Sequence, residues 1–366
     1  MKHGFLSLAT ALTLALGAAD GWCQGKVVNV YNWTDYIAED APKAFQQATG
    51  IKANYTTYDT NEILDAKLRT GRSGYDVVTP TMSPHFARQK TAGLFRPIDK
   101  ALLKNYGNLD PEIMKALARY DPGNEHGVPW MWGTTGIGYN VEEVKKRMPD
   151  APVDSLKLIF DPQTVAKFKD CGVMLLDSPT DVLPAALLYL GLDPDSKKPE
   201  DLEKAADVVR KVRPSIRKFT SAEMINALAR GDICVAFSFS GDILQARDRG
   251  AKAKPQAVTV NYAIPKEGSQ LWIDVMAIPK DSKNVEEAHR WIDYLLDPKV
   301  AAASSDAVGY ANGNKAAVPL MKKEISEDPL IYPPEAVRAK LFTISPGDQE
   351  QTRLRTRLWT NIKTGR

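Results

Sequence analysis

Four places in the sequence set a carboxylate at the end of a predicted strand, and three of them add an aromatic residue. Asn32-Trp33-Thr34-Asp35-Tyr36 closes the opening strand, and Phe239-Ser240-Gly241-Asp242 closes a later one. Leu271-Trp272-Ile273-Asp274-Val275-Met276 puts an acid inside an apolar run, which is costly unless the acid is paired, protonated or at a wet strand end. Asp177-Ser178-Pro179-Thr180-Asp181 runs from a strand into a helix without an aromatic. Each has a plain structural reading: Thr34, Asp35 or Asp242 as a helix cap, Asp274 as the partner of an arginine. Taken together they point to a cation. Carboxylates pair with ammonium groups, while Trp33, Tyr36, Phe239 and Trp272 cover methylenes and offer cation–π faces. An anion site would need helix N-termini and arginines instead.

Machinery for catalysis is missing. Ser238-Phe239-Ser240-Gly241 lacks the first glycine of a nucleophile elbow. Gly133-Thr134-Thr135-Gly136-Ile137-Gly138 has the wrong spacing for a dinucleotide turn, and neither a phosphate-binding loop nor H-E-x-x-H occurs. Beyond the leader only His85, His126 and His289 remain, and His289 is expected on a helix surface. Asp193-Pro194-Asp195 reads as a turn. No metal and no cofactor is expected.

The elements that must position these clusters alternate. Val27–Tyr31 reads as a strand, a helix follows from about Asp40 to Gly50, and a second strand starts at Ile51. A helix over Glu62–Leu68 and a strand over Asp76–Thr79 complete a β-α-β-α-β opening, which argues for a parallel sheet with its crevice off the strands' carboxyl ends. The pattern restarts with strands at Val173–Leu176 and Ile233–Phe239 and helices at Val182–Leu190 and Asp201–Val212. Another helix opens at Gly241-Asp242. Two strands between Val258 and Pro279 flank the turn Pro265–Ser269, and Glu286–Leu296 is an amphipathic helix. With 366 residues the chain holds about two domains. It has 48 Lys+Arg against 45 Asp+Glu and no basic block, so no nucleic acid partner is expected.

Residues 1–25 read as a secretory signal peptide: Lys2 and His3, an apolar stretch from Phe5 to Ala19, and small residues at its end. Cys23 raises a lipoprotein alternative, but Asp20-Gly21-Trp22 lacks the small apolar residues that such a site needs. Cys171 and Cys234 remain, beside two strand-like runs. In an oxidising compartment a bridge between them would stabilise by about 4 kcal/mol in the chain-entropy treatment; two buried thiols are the alternative.

Several segments resemble the bacterial periplasmic putrescine- and spermidine-binding proteins of ABC transporters. They are Asn32-Trp33-Thr34-Asp35-Tyr36-Ile37, Trp132-Gly133-Thr134-Thr135-Gly136-Ile137-Gly138-Tyr139-Asn140, Gly231–Ala236 and Ile264–Gly268. Tyr310-Ala311-Asn312, Tyr332-Pro333-Pro334 and Arg357-Leu358-Trp359 belong to the same set. The resemblance implies an α/β, two-lobed periplasmic solute-binding fold of type II with the ligand cleft between the lobes. It places ligand contacts on Trp33, Thr34, Asp35, Tyr36, Ser83 or Thr81, Asp181, Phe239, Asp242, Trp272, Asp274 and Tyr310, and a disulfide on Cys171 and Cys234. It implies a polyamine ligand, an inner-membrane permease as partner, and a monomer. The expected division is residues 26–133 plus 254–297 for lobe 1 and 134–253 plus 298–366 for lobe 2.

Four departures alter the expected site. Phe239 stands where a larger or hydroxylated aromatic is common, and Asp181 where a longer glutamate is usual. Trp272 replaces a phenylalanine of some members, and the loop Thr81–His85 is one residue longer than usual. Putrescine, slightly favoured by Thr34-Asp35-Tyr36, spermidine and related diamines all stay open. The competing functions are a sensor feeding a signalling partner and an extracellular amine-processing enzyme.

Overall fold

The computed structural model of the chain describes Met1 and residues 26–365. The signal peptide expected over residues 1–25 therefore lies, apart from Met1, outside the described residues.

Among the described residues, eleven strands carry the fold. They are β1 (Val27–Trp33), β2 (Lys52–Tyr58), β3 (Val77–Val78), β4 (Gly127–Asn140), β5 (Val173–Leu175) and β6 (Lys218–Phe219). β7 (Val235–Phe239), β8 (Val260–Ala263), β9 (Ser269–Ala277), β10 (Ala311–Asn312) and β11 (Leu341–Phe342) follow. The ladder runs β2-β1-β3-β9-β4-β7-β5-β6, with β8 and β10 paired to β4 and β11 to β9. As the opening pattern predicts, β1 lies parallel to both β2 and β3. The connecting helix Ala41–Thr49 has Pro42 in its first turn, and Gly50 ends it in the left-handed region at φ +73°, its N–H donating to the Gln46 carbonyl. Asp40 precedes this helix but its side chain makes no capping bond.

β4 joins the two halves. Its first part, Gly127–Thr134, pairs with β9, and its second part, Thr135–Asn140, pairs with β7 and β8. β8 pairs with the second part of β4, and β10 with Met131 and Trp132 in its first part. Short strands leave no pattern from which a partner can be read.

The helix Val285–Leu295 buries Ala288, Trp291, Ile292 and Leu295, the face its periodicity predicts, and Trp291 meets the Phe45 ring edge-on at 5.0 Å. His289 is also buried, against expectation. Its Nε2 accepts from the Asp99 N–H at 3.0 Å, so a short helical turn from the neighbouring segment covers this flank of the helix. Cys171 and Cys234 precede the paired strands β5 and β7 and form the disulfide, with Cα atoms 5.6 Å apart.

Candidate ligand-binding site

The strand ends meet in a cleft. Its inner chamber is lined by Trp33, Thr34, Tyr36, Tyr58, Asp59, Thr81, Ser221, Phe239, Asp242, Trp272, Asp274 and Tyr310, and holds about 450 Å³ of space including its mouth. A second chamber of about 400 Å³ continues from it past Trp33, Phe239 and Trp272 towards Ser83, His85, Asp177, Asp181 and Gln270. Among the described residues, no lysine or arginine lines either chamber. His85, in the second, is held neutral, its pKa lowered to about 3 by burial and then by the Arg88 charge.

Asp274 is the centre of the inner chamber. It is 4% exposed; Oδ2 accepts from the Tyr36 hydroxyl at 2.7 Å, while Oδ1 has no hydrogen-bond partner. Burial raises its pKa to about 7. No ion pair reaches it among the described residues, which removes the plain reading of Asp274 as an arginine's partner. Asp242, at the start of the helix Ser240–Ala251, exchanges two bonds with Tyr310: its N–H donates to the phenol oxygen at 3.1 Å, and the phenol donates to Oδ1 at 2.6 Å. Burial raises this carboxyl to about 7 as well. A buried carboxylate with a bare oxygen is costly in an empty cleft, and a cation beside it removes that cost.

The aromatic walls come from different elements. Trp33 ends β1, lies tilted against Tyr58 with ring centres 4.7 Å apart and anchors its Nε1–H on the Thr79 carbonyl at 2.9 Å. Phe239 ends β7 and lies between Trp33 and Trp272, with ring centres 6.5 and 5.5 Å away. Tyr310 presents its face between Tyr36 and Trp272 at 5.3 and 5.2 Å. Two glycines make this box possible. A Cβ on Gly133 would stand 2.6 Å from the Trp272 ring, and one on Gly241 2.5 Å from the Tyr310 ring. That is the physical content of glycines which the sequence presents only as motif.

The other expected residues take varied places. Thr34 lines the inner chamber and donates to Asp59 Oδ1 at 2.9 Å. Asp181 is buried at the far end, accepting from Thr135 Oγ1 at 3.1 Å and Ser178 Oγ at 2.5 Å, and burial raises it to about 6. Ser83 lines only the second chamber and donates to the Ile344 carbonyl, whereas Thr81 lines both chambers. Asp35 does not line the cleft. It sits at φ +53° with its carboxylate 3.3 Å from Arg249, so a turn aims it at the helix Ser240–Ala251 instead. Tyr58, Asp59, Glu62, Ser221 and Gln270 line the cleft and were not expected. Tyr58-Asp59 carries the same signal as the other clusters, an aromatic and an acid at a strand end, and could have been found by it. Ser221 lies in a loop without any such mark.

Residues 40–333 match the bacterial extracellular solute-binding proteins. The chain belongs to that family. It is 49% identical to the putrescine-binding periplasmic protein SpuD of Pseudomonas aeruginosa, over 100% of both chains. With the putrescine-binding periplasmic protein PotF of Escherichia coli it shares 47% identity, over 100% of this chain and 99% of the other. Among solved structures it is similar to the spermidine/putrescine ABC transporter substrate-binding protein PotD of Streptococcus pneumoniae, at 29% identity and a TM-score of 0.73, covering 93% of this chain and 99% of that one. The expected α/β two-lobed solute-binding fold is thus the fold observed, and the relatives are binding proteins.

Proposed function

We propose that the chain captures a polyamine in the periplasm, closes its two lobes on it and presents the loaded form to an inner-membrane ABC permease. One observation carries this reading: Asp274 is buried, with an unpartnered oxygen, in an aromatic chamber that no lysine or arginine among the described residues lines. One ammonium of the ligand lies between Asp274 and Asp242. The methylenes run through the box of Trp33, Tyr36, Phe239, Trp272 and Tyr310 towards Asp181, with Thr34 and Ser83 along the way. The relatives are named as binding proteins, which supports release of the amine unchanged. The names of the relatives support both the ligand class and the compartment.

Closure follows from where the residues come from. Trp33 and Asp274 stand on strands of the first half of the ladder and Tyr36 just after the first of these strands, whereas Phe239, Asp242 and Asp181 stand on elements of the second, joined through β4. A ligand touching both sets stabilises only the closed arrangement. Strand pairing supports assigning 260–263 to the second lobe and 311–312 to the first. Small-angle scattering with saturating putrescine is expected to give a smaller radius of gyration. The melting temperature is expected to rise with it, reflecting about 2.7 kcal/mol at a hundredfold excess over Kd. A higher melting temperature with unchanged scattering would overturn closure, and with it the means by which a permease tells loaded from empty protein.

A further inference from the structure

The second chamber is bordered by four carboxylates, yet three of them already have partners. Asp59 accepts from Thr34, and Asp181 accepts from Thr135 and Ser178. Asp177 is held on both oxygens by Lys363 Nζ, at 2.9 and 3.0 Å, and on Oδ1 also by the Trp359 indole at 2.7 Å. Glu62 makes no such bond, and burial, with the charges of Asp181 and Asp177 nearby, raises its carboxyl above the ordinary range. Among the described residues, only Asp177 of these four is paired with a cationic side chain.

Lys363 is chemically the end of a polyamine: a primary ammonium on a flexible alkyl stem. It projects from the C-terminal helix Gln349–Thr364 and is the cation paired with Asp177. We propose that Lys363 is a specificity residue: by holding Asp177 it withholds that charge from a third amine, so the cleft favours diamines over triamines. This rests on the polyamine reading of the cleft. A third ammonium entering the second chamber sheds hydration and needs a carboxylate in return. The inner chamber supplies one through the bare oxygen of Asp274. Asp177, in the second chamber, does not while Lys363 stays in place.

The test is calorimetry of the mature chain with putrescine and with spermidine. In Lys363→Met, spermidine is expected to bind about tenfold tighter or more, with putrescine unchanged within about threefold. Lys363→Arg keeps the ion pair and is expected to keep the original preference. In the double variant Lys363→Met with Asp177→Asn, the gain for spermidine should vanish. An unchanged spermidine-to-putrescine ratio in Lys363→Met, or a gain that survives in the double variant, would overturn the assignment. Lys363→Gln carries the same expectation should the methionine variant fail to fold. If the unaltered chain binds putrescine and the ratio does not move, only the role of Lys363 falls. If it binds neither amine, the reading of the cleft falls first.

Discussion

Asp274→Asn is expected to weaken polyamine binding by about a hundredfold or more. The asparagine keeps an oxygen for the Tyr36 hydroxyl, so the local hydrogen bond and the shape of the chamber survive. The negative charge does not. An ammonium enclosed between Asp242 and a neutral amide has lost half of its counter-charge in a site that excludes water, which costs several kcal/mol. The same change is expected not to lower the melting temperature of the empty protein, because a buried carboxylate with a bare oxygen destabilises the fold it sits in. Calorimetry and thermal melting together therefore separate a ligand contact from a structural one. A Kd within about threefold of the original, with a lower melting temperature, would make Asp274 a structural residue.

The second large effect is on pH. Burial holds Asp274 and Asp242 up to about 7 and Asp181 up to about 6 in the empty cleft. Between the ordinary carboxylate range and pH 7 the folded chain then binds more protons than the unfolded one, so these groups make the empty protein less stable as pH rises through that window. Ligand works in the opposite sense, since an ammonium needs the charged carboxylates. Affinity should level off above about pH 7.5 and fall as pH drops through 7 and 6, by about a thousandfold by pH 5.5 if both inner acids must lose a proton. Proton release on binding should appear below pH 7, read as a dependence of the binding heat on the buffer's ionisation enthalpy. Affinity that does not change between about pH 5.5 and 7.5 would mean that these carboxyls are already ionised in the empty cleft.

Much of this architecture can be read from local signals. Pro42 and Gly50 bracket the first helix, and a run of apolar residues at helical spacing marks the buried face of Val285–Leu295. Strand ends with an acid beside an aromatic lead to Trp33, Tyr36, Phe239, Asp242, Trp272 and Asp274, all of which line one chamber. What cannot be read is direction. The turn after β1 rotates Asp35 away from the cleft, and its residue type carries no trace of that positive φ. His289 has the type and position of a surface residue, and only a segment nearly two hundred positions earlier in the chain buries it. The pairings of β8 and β10 likewise depend on contacts across the fold. Lys363 reads as an ordinary charge near a helix C-terminus until Asp177 is seen beside it.

Isothermal titration at about pH 7.5 with putrescine, set against 1,4-butanediol, tests the central claim most directly. The two molecules match in length and methylene count and differ in charge. Putrescine is expected to bind at a single site per chain, and the diol to give no saturable heat. No binding by putrescine, cadaverine, agmatine, spermidine or spermine, or equal binding by the diol, would contradict a cleft built around buried carboxylates for a cationic amine.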